Sequence, residues 1–280
     1  MPELPEVETI RQDLNKLIVG KKICNIESDS PKQIQPSLEA VKKAVVGAEI
    51  KSVGRRAKLI QIFLDNGKIL AIHLKLTGRL LVRKEGASED QWQHVVFKMT
   101  TDNRGQRAED LELRFCDLRK FGWIRLIEDE QQLEKLLSEF GPEPLDDLTL
   151  EKFKEILSRK GMPIKPVLMD QKEIAGVGNI YANEALFLAG IDPKRPAKSL
   201  DPSEQSKLYE ALEQVLKEGI KYRGASDNSY LDAQGRKGYY QEHFRVYAQA
   251  GRPCPNKCGG KIKRITLGGR GTFFCPKCQR

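Results

Sequence analysis

No stretch of this 280-residue chain approaches the ~20 consecutive apolar residues a membrane-spanning helix needs. The longest apolar runs, such as ILAIHL at 69–74, stop after a few positions. The first residues, MPELPEVE, are acidic. They lack the basic segment and apolar core of a secretory leader, so a cytoplasmic protein is expected. Internal repeats and low-complexity tracts are absent, which excludes solenoids, propellers and disordered scaffolds. Hydrophobic residues make up 39% and charged residues 31%. That composition describes a globular chain of one large or two medium domains. At this size folding buries about three quarters of the unfolded surface, so no disulfide staple is required.

Acidic residues are missing from positions 251–280, where eight basic residues stand alone. The first 250 residues carry 40 basic against 39 acidic side chains, so almost all of the net +9 sits in the last 30. A concentrated positive segment is an electrostatic footprint for a polyanion such as nucleic acid. Its bland alternative is a solvated basic tail.

The six cysteines divide into two kinds. Cys24 and Cys116 stand alone in apolar, strand-like surroundings and are expected to be buried free thiols. Cys254, Cys258, Cys275 and Cys278 are spaced Cys-x3-Cys, sixteen residues, Cys-x2-Cys. In a chain expected in the cytoplasm this reads as metal rather than disulfide. Four thiolates in two close pairs suit one tetrahedral zinc ion, and four protein ligands leave no open position for catalysis. The zinc is therefore expected to be structural.

Along the chain, residues 5–18 place Val7, Ile10, Leu14, Leu17 and Ile18 on one helical face, with Gly20 just past the end. From about 44 to 127 the texture is that of strands. AKLIQIFL and KILAIHLKL flank an Asp65-Asn66-Gly67 turn, a hairpin signal, and LELRFC and WIRLI follow. A sheet-rich domain of about 130 residues is expected, closed by the Pro- and Gly-containing SEFGPEPLDD. Beyond it, residues 148–160, 164–176, 179–190 and 202–224 read as helices. Residues 225–238 read as a polar, glycine-rich loop, and KIKRITL and GTFFC as strands of the cysteine module.

The opening carries a possible chemistry. Removal of Met1 leaves Pro2 as a terminal secondary amine. An α-amino group has a pKa near ~8, against ~10.4 for lysine, so much more of it is free base at neutral pH. Its attack on an aldehyde-like carbon gives an iminium that is cationic without a proton, an electron sink suited to β-elimination. Glu3 could move protons beside it, and Glu6 lies one turn on, near the positive end of the helix. The alternative is a helix start, where proline and acidic residues are favoured anyway.

The opening PELPEVETIRQDL closely resembles that of formamidopyrimidine-DNA glycosylases, and the likeness runs the length of the chain. It continues through RRAK (55–58), HLKLTG (73–78), DLRKFG (117–122), GPEPL (141–145), IKPVLMDQ (164–171), GVGNIYANEALF (176–187) and the cysteine module. The resemblance implies an α+β protein: an N-terminal β-sandwich with flanking helices, a C-terminal helix–two-turn–helix domain, and a zinc-finger β-hairpin. It implies a domain order of 1–133 (catalytic), 134–145 (linker), 146–224 (helix–two-turn–helix), 225–245 (a loop capping the lesion) and 246–280 (zinc finger).

The implied activity is excision of oxidised purines, 8-oxoguanine and formamidopyrimidines, followed by β,δ-elimination through a Pro2 iminium. The implied partner is double-stranded DNA with oxidised bases or abasic sites, met by a monomer on the nucleoid. By the same resemblance Pro2, Glu3, Lys58 and Arg270 form the catalytic set, with Glu6 in support. Lys58, His73, Asn179 and Arg270 hold phosphates, and Leu76, Arg119 and Phe121 fill the gap left by an extruded base. Read from the residues alone, His73 would be a core histidine and Arg55 a solvated charge. Asn179 would be a cap for a helix beginning at Ile180.

This chain departs from the family pattern in three places. Lys75 and Leu76 stand where HLGMSG is usual, so a leucine replaces the methionine of the gap-filling trio. The first cysteine pair is one residue wider. The segment 233–240, which corresponds to the loop over the damaged base, carries Arg236 and Lys237. Two other functions remain in view: a sister group acting on oxidised pyrimidines, and a non-catalytic zinc-ribbon DNA-binding protein. Against the first stand PELPE rather than PEGPE and an intact DLRKFG; against the second stands the Pro2-Glu3 pair.

Overall fold

The computed structural model describes residues 1–100, 110–227 and 229–280. Residues 101–109, inside the strand-rich region, and Asn228, inside the expected 225–245 loop, lie outside it. The chain divides into two compact units, one of residues 1–138 and 223–239, the other of 139–222 and 240–280. The 225–245 stretch is thus shared between them.

In the first unit, helix α1 (Leu4–Leu17) precedes strand β1 (Lys22–Ser28), a short β2 (Ile34–Gln35) and helix α2 (Leu38–Val45). Strands β3 (Ile50–Arg56), β4 (Leu59–Leu64), β5 (Ile69–His73), β6 (Gly78–Lys84), β7 (Gln93–Thr100), β8 (Leu111–Asp117) and β9 (Trp123–Ile127) follow, then helix α3 (Glu130–Leu137). They form a four-stranded sheet, β1-β7-β8-β6, and a five-stranded one, β2-β9-β5-β4-β3. One hydrophobic core draws on both: Ile23, Val95, Phe97, Leu113 and Phe115 meet Val53, Ile60, Ile62, Leu70, Ile72 and Ile124. This is the expected sandwich.

The expected helical face is present: Val7, Ile10, Leu14 and Ile18 are fully buried in that core, with Leu17 packed against it. The hairpin at Asp65-Asn66-Gly67 is also present, with β4 and β5 paired from Phe63↔Ile69 to Leu59↔His73 and Gly67 at φ +79°. Two expectations about single side chains fail. Cys116 is buried, but Cys24 is exposed: the β1–β7 register shifts between Ile23 and Asn25, so Cys24 is the extra, unpaired residue of a bulge. Arg55 is not solvated: its Nε donates to Glu8 Oε2 at 3.0 Å and its Nη1 to the Ala57 carbonyl at 3.0 Å.

The described residues of 225–238 are packed and bonded more than the segment's composition suggests. Tyr230 and Ala233 belong to the sandwich core. Backbone and arginine hydrogen bonds tie the segment to β6: Val82 N–H to the Ala233 carbonyl (2.7 Å), Arg79 Nε to the Ser229 carbonyl (2.7 Å) and Arg83 Nη1 to the Gln234 carbonyl (3.2 Å).

The second unit contains α4 (Leu150–Ser158), α5 (Ile164–Met169), α6 (Asn179–Ala189), α7 (Pro202–Lys221) and the hairpin β10 (Lys263–Leu267) and β11 (Arg270–Phe274). The helix expected over 164–176 ends at Met169. Gln171 turns the chain instead: its Nε2 donates to the Met169 and Val177 carbonyls, and its Oε1 accepts the Gly176 N–H. A side chain that satisfies both sides of a turn outcompetes helix continuation. No helix among the described residues is long and apolar enough to cross a membrane.

Candidate functional site

At the start of α1, Pro2, Glu3 and Glu6 are all buried. Glu6 uses both carboxylate oxygens: Oε2 accepts the Glu3 N–H at 2.8 Å, and Oε1 accepts the Ala225 N–H at 2.8 Å. The first bond satisfies an orphan donor at the helix start, as capping rules anticipate. The second joins the terminus to the 225–238 segment, a link no spacing in the sequence discloses. Gly224, at φ +80°, is required there, since a Cβ would come within 2.8 Å of Glu6 Cγ. A titratable pair is thereby held next to Pro2, whose nitrogen is a secondary amine only once Met1 is removed.

Lys58 and His73 come together through the β4–β5 pairing. Lys58 is buried, at the turn into β4, and His73 pairs with its neighbour Leu59. His73 is half-buried; its Nδ1 accepts the Lys75 N–H at 3.0 Å. Burial first, then the Lys75 and Lys58 charges, lower its pKa from 6.5 to about 3. The imidazole is therefore neutral, with its proton on Nε2, a donor suited to a phosphate oxygen.

A stability consequence follows from the sign of that shift. Between pH 6.5 and 3 the unfolded chain binds a proton at His73 that the folded chain refuses. Stability should fall as pH drops through this window, by up to about 1 kcal/mol per unit from this residue. Chemical denaturation of wild type and His73→Asn at pH 7, 5 and 4 should show a flatter decline for the variant; parallel declines would refute the assignment.

The gap-filling candidates occupy two adjoining turns. Asp117, fully buried, accepts the Gly122 N–H on Oδ2 (2.7 Å) and the Arg119 N–H on Oδ1 (3.2 Å), while Thr77 bonds to the same Oδ1. Thr77 Oγ1 also accepts the Arg119 N–H at 3.2 Å, so the turn carrying Leu76 is joined to the turn carrying Arg119 and Phe121. The Arg119 guanidinium lies 4.6 Å from the Phe121 ring centroid. Phe121 is 53% exposed, a large apolar cost unless something covers it. Leu76 is only half-buried.

In the second unit, Asn179 is not the cap. Helix α6 begins at Asn179 itself, Gly178 holds the cap position, and no side chain caps it. The Asn179 Oδ1 instead accepts from Lys165 Nζ at 2.7 Å. Lys165 is fully buried, and its Nζ also donates to Thr272 Oγ1 (2.8 Å) and the Gly271 carbonyl (3.1 Å). One ammonium thus fastens Asn179 to the β11 backbone beside Arg270, and commits the amide's acceptor end, leaving its donor end for an anion. Arg270 is exposed at the head of β11 after the Gly268-Gly269 turn.

Lys165, Asn183 and Glu184 were not singled out by the sequence, although polar residues in so apolar a helix as α6 were a signal. Asn183 Oδ1 accepts the Phe273 N–H at 2.7 Å. Glu184, fully buried, accepts the N–H groups of Arg245, Val246 and Tyr247. Burial pushes its carboxyl pKa upward against those bonds.

The four module cysteines converge. Their sulfurs all lie within 4.8 Å of one another, with Cys254–Cys278 and Cys258–Cys275 each at 3.6 Å. Zinc–sulfur bonds of ~2.3 Å at tetrahedral angles require sulfurs roughly 3.8 Å apart, so the cluster fits one zinc ion. Gly260 is needed beside them, since a Cβ there would fall 2.9 Å from Cys275 Sγ. The Gly260 N–H donates to Cys258 Sγ at 3.4 Å.

A thiolate finger bearing an exposed arginine, on a helix start whose asparagine is oriented by a buried lysine, defines a zinc-finger protein of the nucleic-acid-binding class. Its sandwich unit adds a proline and two glutamates packed at the terminus. The chain belongs to the formamidopyrimidine-DNA glycosylase family. Three family models match: the formamidopyrimidine-DNA glycosylase N-terminal domain over 1–124, its H2TH domain over 140–230, and the zinc finger found in FPG and IleRS over 251–280. Formamidopyrimidine-DNA glycosylase of Chloroflexus aurantiacus is 44% identical, across 100% of this chain and 98% of the relative. That of Pelotomaculum thermopropionicum is 42% identical, across 100% and 99%. Among solved structures, Lactococcus lactis Fpg in complex with abasic-site DNA matches with a TM-score of 0.89, 35% identity and 99% coverage of both chains. A Lactococcus lactis Fpg mutant with Fapy-dG DNA matches with a TM-score of 0.90, 35% identity and 100% coverage of both.

Proposed function

We propose that this protein is a base excision repair glycosylase and abasic-site lyase that removes oxidised purines from double-stranded DNA. The observation that carries the reading is the placement of Pro2, Glu3 and Glu6 at one buried helix start in a chain of this family. Once Met1 is removed, the Pro2 nitrogen attacks C1′ of the damaged nucleotide and the base leaves with its bonding pair. Ring opening gives an iminium between Pro2 and C1′. Loss of a C2′ proton then expels the 3′-phosphate, and a second elimination expels the 5′-phosphate. Glu3 serves as the proton-transfer group and Glu6 as its support.

Lys58, His73, Asn179 and Arg270 hold phosphates, with Lys58 and Arg270 closest to the reacting nucleotide. Leu76, Arg119 and Phe121 fill the gap. The functional division is 1–133, catalytic; 134–145, linker; 146–224, DNA-binding; 225–245, base-capping; and 246–280, zinc finger. The protein acts as a monomer, in the cytoplasm on nucleoid DNA.

Extruding a base costs a few kcal/mol of pairing and stacking, partly recovered by inserted side chains. Arginine supplies only donors, which suits the acceptors on the pairing edge of an orphaned cytosine better than the donor of adenine. Single-turnover excision of 8-oxoguanine should therefore be faster opposite cytosine, and Arg119→Ala should erase the difference. Leu76→Met should leave activity equal or modestly raised. A preference that survives Arg119→Ala would place partner-base reading elsewhere. A Lactococcus lactis Fpg structure holds oxidised-pyrimidine DNA; faster excision of an oxidised pyrimidine than of 8-oxoguanine here would favour the sister-group reading.

A further inference from the structure

We propose that Asp232 is a positioning residue for base excision: through Arg223 it fastens the 225–238 segment to α1 and keeps that segment preformed beside the attacking amine. This rests on the reading of Pro2 as that amine. Asp232 is 1% exposed and divides its oxygens between two tasks. Oδ1 accepts the N–H groups of Gln234 (3.0 Å) and Arg236 (2.8 Å), closing the turn that Gly235 completes at φ +86°. Oδ2 accepts Arg223 Nη2 at 2.6 Å and Arg236 Nε at 3.0 Å. The same Arg223 Nη2 donates to Asp13 Oδ2 at 2.6 Å, and Asp13 lies on α1 at 4% exposure. Charge-assisted bonds between buried carboxylates and a partly buried guanidinium are the stronger kind.

Helix α1 is therefore held to the segment at two levels, by Glu6–Ala225 in its first turn and by Asp13–Arg223–Asp232 about two turns further on. The segment's ends also meet: Gly238 packs so closely on the Gly224 carbonyl that a Cβ would fall 2.2 Å from it, and the Gly238 N–H donates to Ser226 Oγ at 2.9 Å. The described residues of the segment, pinned in this way, have little ordering entropy left to lose on binding. Its location gives it a task. The departing base is bonded to the carbon that Pro2 attacks, and the segment is joined through Glu6 to the residue next to Pro2. On this proposal a base still bonded to that carbon meets the segment, whereas an abasic sugar presents no base to it. Disordering the segment should slow excision and leave abasic-site cleavage intact.

The test compares Asp232→Asn, which keeps an oxygen for the backbone amides but forfeits the charge, with Asp232→Ala, which loses both. Single-turnover excision of 8-oxoguanine should fall about 3-fold in the first and about 10-fold or more in the second. Cleavage at a preformed abasic site should stay within about 2-fold in both. Hydrogen exchange at the Gln234 and Arg236 amides should quicken in step with the excision loss. Equal losses on both substrates, unchanged excision, or lost excision with unchanged exchange would each overturn the proposal; should the alanine variant fail to fold, the asparagine variant decides. A wild type that cleaves neither substrate would instead overturn the assignment of Pro2.

Discussion

Borohydride trapping of the protein on damaged duplex should disappear completely when the Pro2 nitrogen is blocked by a retained amino-terminal extension. The reasoning begins with amine chemistry. A secondary amine condenses with C1′ to an iminium that needs no further proton, and borohydride reduces that iminium to a stable covalent adduct. An unperturbed lysine amine is overwhelmingly protonated at neutral pH, whereas far more of an α-amine is free base. Blocking should therefore abolish trapping while duplex binding persists, since the proposed phosphate contacts are made elsewhere. Full trapping with a blocked terminus would remove Pro2 from the mechanism. Glu3→Gln extends the argument: the side chain keeps its shape but cannot exchange a proton. Base excision should fall by ~10²-fold or more, the usual scale for an acid–base group, with affinity for an uncleavable abasic analogue unchanged. An excision rate within a few-fold of wild type would move proton transfer to another residue.

Removing the zinc should have the second-largest effect. The finger has a small core, with Cys254, Cys275, Ile262, Val246 and Phe187 buried together. Eight basic residues and no acidic ones occupy positions 251–280, so without the metal that charge drives the segment apart. Binding free energy for structural zinc is largely folding free energy. Cys275→Ser should leave the sandwich unit folded by near-UV circular dichroism, release the metal, and weaken duplex affinity by about 10²-fold at physiological salt. Native protein should hold one zinc ion per chain, and a preparation without zinc that binds DNA fully would defeat the prediction. The milder Arg270→Ala keeps the finger intact and should lower the slope of log affinity against log salt by about one unit, the signature of a single lost phosphate contact.

Much of the site was visible in residue order because its chemistry is local. The thiol pairs are separated by three and two residues, so any chain that folds back once brings them together. Pro2, Glu3 and Glu6 lie within five consecutive positions at one helix start, and the gap-filling candidates Arg119 and Phe121 share one tight turn. What stayed hidden depends on partners far along the chain. Asn179 looked like a cap because asparagine before an apolar helix usually is one. It is held instead by Lys165, whose other acceptors, Gly271 and Thr272, lie more than a hundred positions away. Arg55 looked solvated because its partner Glu8 sits 47 residues upstream. Residues 225–238 looked like an open loop because Gly, Ser, Asp and Asn favour turns; yet Tyr230 and Ala233 fill the sandwich core.

The candidate site residues came from the family resemblance; the sequence by itself determined the metal, the order of the sheet-rich and helical parts, and the hairpin at Asp65-Asn66-Gly67. Each of these follows from periodicity, turn chemistry or ligand spacing, which act over a few residues and need no knowledge of the rest of the chain. The tertiary structure alone decided which groups orient those residues. Glu6 with Ala225, Asp13 with Arg223 and Asp232, and Lys165 with Asn179 and Thr272 are pairs of buried polar groups. Each must find a partner wherever the packed chain places one, and no local pattern encodes where that is.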